Sequence, residues 1–155
     1  MPKFVRQGDN TLIGNNTFSG SNTFSGATSF TGAVTTTGGI NRPVTQSALV
    51  GATVVLTSAD SGGVFINRST SGSPSWTLPT NVAGLYYTFV CSNTTAGFTV
   101  TGGTIKAKAN PAGAAITGTT LTHTQGTAVI GDNITLVADG TNWYSIAQGG
   151  TFAAA

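Results

Sequence analysis

Glycine recurs at positions 8, 14, 20, 26, 32 and 38, a period of six without a slip. Two residues before each glycine from Gly14 onward sit Leu12, Phe18, Phe24, Phe30 and Thr36. Six is an even number, so in an extended chain all of these side chains point to one side. The other side carries Asn15, Thr17, Ser19, Ser21, Thr23, Ser25, Ala27, Ser29, Thr31 and Ala33, all small or hydroxylated apart from the one amide. The period does not match the 3.6 of a helix, and Gly, Thr, Ser and Asn are poor helix formers. A hexad pattern of this kind predicts a β-helix or related repetitive β structure.

One chain cannot bury the phenylalanine stripe, because repeat units hide their apolar side only against stacked neighbours. Several copies around an axis can. The repeat therefore predicts an intertwined oligomerisation stalk over residues 9–40. A threefold arrangement would set Leu12, Phe18, Phe24 and Phe30 near its axis. The competing reading is a disordered Gly/Ser/Thr linker, which has no reason to keep Phe in register.

Charge is the second constraint. Only 6% of the 155 residues are charged, against about 25% in an ordinary soluble domain. The four acids are Asp9, Asp60, Asp132 and Asp139, and there is no Glu. Disordered chains are usually charged and poor in aromatics, whereas this one has eight Phe. The composition fits a rigid β assembly that relies on packing and hydrogen bonds. A net charge of +2 is too small to argue for nucleic acid, which asks for a clustered basic face. No apolar run of about 18 residues predicts a membrane span. Lys3 and Arg6 at the start are followed by no apolar stretch of a secretory signal. Cys91, the sole cysteine, has no partner for an intrachain disulfide, and a reducing cytoplasm is the expected site of synthesis.

Residues 1–8 read as a basic arm, with Lys3 and Arg6 either solvated or docked on an acidic surface. Pro43 interrupts regular pairing and places a linker at 41–47. From there, short β runs are expected at Thr53–Thr57, Val64–Asn67, Ser75–Leu78, Leu85–Cys91, Phe98–Thr101 and Thr104–Lys108. Further runs are expected at Ala115–Thr117, Leu121–His123, Ala128–Ile130, Ile134–Ala138 and Trp143–Ala147. Asp60-Ser61-Gly62-Gly63, Gly102-Gly103 and Asp139-Gly140 punctuate them as turns. Many short strands at this spacing predict an all-β sandwich, jelly-roll-like, over 48–150. The tail 151–155 is expected to fray or to lie against a neighbouring subunit.

Few residues carry chemistry. Two carboxylates held close together, as glycan hydrolysis requires, are not expected when three of the four acids sit in glycine turns. His123 stands alone, which argues against a zinc set or a catalytic triad, and is expected on a strand surface. Cys91 is expected as a buried structural thiol. Lys106 and Lys108 alternate on one strand face. They either guard a charged edge strand or meet an acidic partner. Trp76 and Trp143 suit core packing better than a sugar platform. Asn15, Asn67, Asn93 and Asn133 stand in glycosylation sequons that arise by chance in a chain rich in Asn and Thr. No catalytic residue, cofactor or metal ligand is predicted.

The stretch Gly131-Asp132-Asn133-Ile134-Thr135-Leu136-Val137-Ala138-Asp139-Gly140-Thr141-Asn142-Trp143-Tyr144 resembles the closing hairpin of a β-sandwich module of tailed-phage virion proteins. Leu56–Gly62, reading LTSADSG, is similar to an early turn of that module. Thr77–Pro79 with Ala83–Phe89 matches its TLP…AG segment and aromatic strand. The NTFSG hexads look like stalk repeats of phage tail and head fibres. The resemblance implies a homotrimer with no chemistry, made in the bacterial host cytoplasm and carried on the virion. A capsid decoration (cement) protein on the outer surface of the major capsid protein is the first expectation, with Lys3 and Arg6 as its capsid contacts. A short fibre or spike that binds a host-surface glycan is the second. An enzyme is the least favoured class, for want of acids.

Overall fold

The computed structural model describes residues 44–47, 51–124 and 128–155, together with Ser19, Ser21 and Thr23. The chain divides into two compact units, Met1–Gly39 and Ile40–Ala155. The expected stalk lies outside the described residues apart from those three positions.

Ten strands follow one another in the second unit: β1 (Val44–Ser47), β2 (Thr53–Val55), β3 (Val64–Asn67), β4 (Ser75–Thr77), β5 (Tyr86–Cys91), β6 (Phe98–Lys108), β7 (Ala115–His123), β8 (Asn133–Ala138), β9 (Asn142–Gly149) and β10 (Phe152–Ala154). A 3₁₀ turn, Ser58–Asp60, lies between β2 and β3. The described residues of the unit are all-β, with every strand in one curled sheet of order β1-β3-β5-β8-β9-β6-β4-β2; β7 attaches at β6, and β10 attaches to β7.

The pairing is mixed, unlike the antiparallel pattern of a jelly roll. Strands β1, β3 and β5 form one parallel ladder; β2, β4 and β6 form another. The chain visits the two ladders alternately, so each pair β1–β2, β3–β4 and β5–β6 is one turn of a parallel coil. Equivalent positions Val44, Val64 and Thr88 are 20 and 24 residues apart. The links cross between ladders instead of turning back as hairpins, which is why the neighbours run parallel. The antiparallel β8–β9 hairpin then joins the ladders, β8 along β5 and β9 beside the far half of β6.

Alternation sets what lies inside. Phe65, Trp76, Tyr87, Phe89, Phe98, Val100, Ile134, Leu136 and Trp143 are buried, each flanked along its strand by more exposed residues. Rings from both ladders meet: Phe65 and Phe89 lie 5.6 Å apart on one, and Trp76 lies 5.2 Å from Phe89 and 5.5 Å from Phe98. Each buried side chain of this size contributes about 1.5–3 kcal/mol by leaving water.

Several expectations are corrected by this arrangement. Phe98–Thr101 and Thr104–Lys108 are one strand. Gly102 and Gly103 are a bulge within β6, not a turn, and take φ of +130° and +31°. Three residues of β6, Gly102 to Thr104, lie opposite Thr119 alone on β7, two more than regular pairing allows, and across them the inward positions switch from Phe98 and Val100 to Ile105 and Ala107. Ala115–Thr117 and Leu121–His123 likewise merge into β7, and Ala128–Ile130 forms no strand. The last four residues of the expected linker form β1. The tail does not fray: β10 pairs with β7 of the same chain, and Phe152 is buried. At Gly118 an added Cβ would collide with the Ala155 backbone, so this glycine makes room for the docked tail.

Candidate functional site

Lys3, Arg6, Leu12, Phe18, Phe24 and Phe30, the expected contact and axis residues, lie outside the described residues. The remaining candidates fall into a buried group and an exposed one.

Trp76 and Trp143 are both fully buried, so neither presents a flat surface to a sugar. His123 is also fully buried, which corrects its expected place on a strand surface. Its parity explains this: Leu121 and His123 share one face of β7, and that face is inward. The imidazole is flanked by Phe98 at 4.9 Å and Phe152 at 5.1 Å. Its Nε2 lies 2.9 Å from Asp132 Oδ2, and the same oxygen accepts the Val129 N–H at 2.9 Å. As that oxygen is the acceptor, the ring hydrogen sits on Nε2, and Nδ1 is left in the core without a partner. The pair ties a core strand to the 129–132 turn.

Cys91 is buried, and its Sγ donates to the Asn93 carbonyl at 3.1 Å. Burial pushes its thiol pKa up. The native protein should therefore react with a thiol reagent far more slowly than the unfolded chain, since the thiolate is the nucleophile. Labelling of the folded protein at the rate of an open thiol would contradict this placement.

The acids among the described residues serve turns. Asp60 Oδ2 accepts the Thr57 N–H and hydroxyl, both at 2.8 Å. Asp139 Oδ1 accepts the Thr141 N–H at 2.7 Å and the Asn142 N–H at 2.6 Å. Bonding to Asn142, then to Thr141, holds the Asp139 carboxyl below the ordinary Asp range. Among the described residues no three His, Cys, Asp or Glu side chains gather as a metal set. No helix there is long and apolar enough to cross a membrane.

The exposed group lies on the outer face of β6 and β9. Lys106 and Lys108 point outward from β6 while Ala107 between them is buried. β6 is not an edge strand: Lys106 pairs with Thr117 on β7 and with Tyr144 on β9. The lysines therefore do not guard an edge. Lys106 Nζ sits 5.4 Å from the centroid of the Tyr144 ring, within cation–π range. Where β9 diverges, the Gln148 side chain takes the place of a strand neighbour. Its Nε2 donates to the Lys108 carbonyl at 2.7 Å, and its Oε1 accepts the Lys108 N–H at 3.4 Å.

β9 also carries a bulge. Leu136 pairs with Ser145 and Thr135 with Ala147, which leaves Ile146 opposite no residue and 66% exposed. A surface hollow of about 260 Å³ opens here, lined by Lys108, Pro111, Ser145, Ile146, Ala147 and Gln148. Lys108, Ser145 and Gln148 give the hollow a polar side, and Pro111, Ile146 and Ala147 an apolar one. Lys108 there, with Lys106 two residues back on the same face, can hold an anionic group beside an apolar neighbour. The lysine alternation was legible in the sequence, but the Ile146 bulge was not, since nothing local marks it. The chain matches no protein-family model, and no curated protein matches it.

Proposed function

We propose that this protein is a structural component of a tailed-phage virion, a homotrimer that decorates the outer capsid surface and strengthens it as cement. The observation that carries the reading is the hexad repeat with Phe18, Phe24 and Phe30 in register, which asks for other copies of the chain. Its likeness to fibre stalk repeats, and the likeness of residues 131–144 to a virion β-sandwich module, supply the setting. On this reading residues 9–40 form an intertwined β-helix-like stalk, and the following unit is a sandwich-like head. The aromatic core and sparse charge of that unit support a packing role, and the two buried tryptophans weigh against the glycan-binding fibre alternative. Lys3 and Arg6, repeated by symmetry, would anchor the arm, where multivalency multiplies weak contacts.

The test mixes the purified protein with capsids that lack it. Light scattering should report a trimer, reduced to monomers or aggregates by Phe18→Ser, Phe24→Ser and Phe30→Ser together. Binding to capsids should be saturable and weakened by deleting residues 1–8. Binding to host cells or their glycans with none to capsids would move the assignment to a receptor-binding fibre.

A further inference from the structure

We infer that the outer face of β6 and β9 is a docking surface for an extended acidic segment of a partner protein, with acidic side chains at alternate positions and an apolar residue beside them. The inference rests on the assembly reading above and names a surface within it.

Lys106 and Lys108 are two strand residues apart, about 6.6 Å along the chain, the spacing at which an extended segment presents its own alternate side chains. Among the described residues no ion pair joins a carboxylate to Lys106 or Lys108. The acids Asp60, Asp132 and Asp139 are engaged in turns. A pair of like charges side by side in mid-sheet is repulsive and is relieved by anions set opposite.

The apolar half of the surface is independent of this charge. The bulge in β9 turns Ile146 outward next to Pro111, over the hollow that Lys108 also lines. The Gln148 amide fixes that end of the site to the β6 backbone. A glycan fits less well. The Tyr144 ring carries the Lys106 ammonium over one face, so that face is not open for stacking, and no aromatic lines the hollow. Charge complementarity with an apolar anchor thus selects an acidic peptide, in which charges steer encounter and the apolar contact slows release.

The test titrates the full chain with a fluorescein-labelled octapeptide of alternating Asp and Val and reads anisotropy. Saturable binding is expected. Lys106→Glu with Lys108→Glu should weaken it about tenfold or more, and Ile146→Ser severalfold, with unchanged thermal melts. Amide shifts of the wild-type protein should move at Lys106, Lys108 and Ile146, a reading that needs no variant. No binding, equal binding by the charge-reversed variant, or equal binding of a peptide with its Asp residues in one block would overturn the proposal. So would sialyllactose binding at these lysines in place of the peptide. Capsid binding that persists in the charge-reversed variant overturns this surface and leaves the decoration reading standing. Peptide binding without capsid binding does the reverse.

Discussion

Replacing Trp76 with alanine should cost the C-terminal unit about 3–5 kcal/mol, the range for truncating a buried large aromatic. Trp76 is fully buried on the middle rung of its ladder, between β2 and β6. It packs on Phe65 and Phe89 of the facing ladder and on Phe98 of its own. No small movement closes such a gap, because its walls are rings held by three separate strands. Domains of this size are usually stable by about 5–15 kcal/mol, so much of the total would be lost. The indole Nε1 has no hydrogen-bond partner, so Trp76→Phe should lose packing alone and fall well below the alanine cost. Val55→Ala serves as a control: Val55 is 69% exposed, and a change within about 0.5 kcal/mol is expected. Urea unfolding would measure all three. An alanine cost no greater than that of the control would mean that the ladders do not face each other through this ring.

The strands that were legible are rich in β-branched and aromatic residues, and their burial alternates. Val64–Asn67 and the cores of β5, β8 and β9 announce themselves as short runs of β-branched and aromatic residues bounded by turn residues. Gly102-Gly103 misled because a glycine pair reads as a turn, whereas here the parity change from Val100 to Ile105 is the visible trace of a bulge. The parity of Leu121 and His123 was enough to place the histidine inside. Its partner Asp132 is nine residues away, beyond any local pattern. The tail was misread because only Phe152 is large and its partner β7 begins far upstream. The parallel coil left little trace: its steps vary, and equivalent sites hold Val64 and Thr88 or Trp76 and Val100, so no fixed period repeats. Of the docking surface, alternation revealed the lysines. The hollow arises only when the 109–114 connection and the bulged half of β9 come together.

The second large effect is expected at Asn67. This side chain is fully buried at the end of β3. Its Nδ2 donates to the carbonyls of Ala96 at 2.9 Å and Gly97 at 2.7 Å, and its Oδ1 accepts the Ser69 N–H at 2.9 Å. Its own carbonyl accepts the Ser92 hydroxyl at 2.7 Å. One residue thus ties the corner after β3 to the corner after β5, joining successive turns of the coil. Asn67→Ala strands two acceptors and a donor beside the core. At about 1–3 kcal/mol for each unsatisfied buried group, not fully additive, a loss of about 3–5 kcal/mol is expected. Asn67→Asp separates this account from simple cavity formation. Aspartate nearly keeps the volume and can still accept from Ser69, but it sets an anionic oxygen against two carbonyls. Its native pKa should lie above its unfolded value, for want of donors and of water. The folded variant then binds more protons than the unfolded one, so its stability should rise as pH falls through the native pKa, an increment that Asn67→Ala lacks. At neutral pH the aspartate variant should be the least stable of the three. Urea unfolding across pH would decide it: an aspartate variant as stable as wild type at neutral pH would show that the two carbonyls do not depend on this amide.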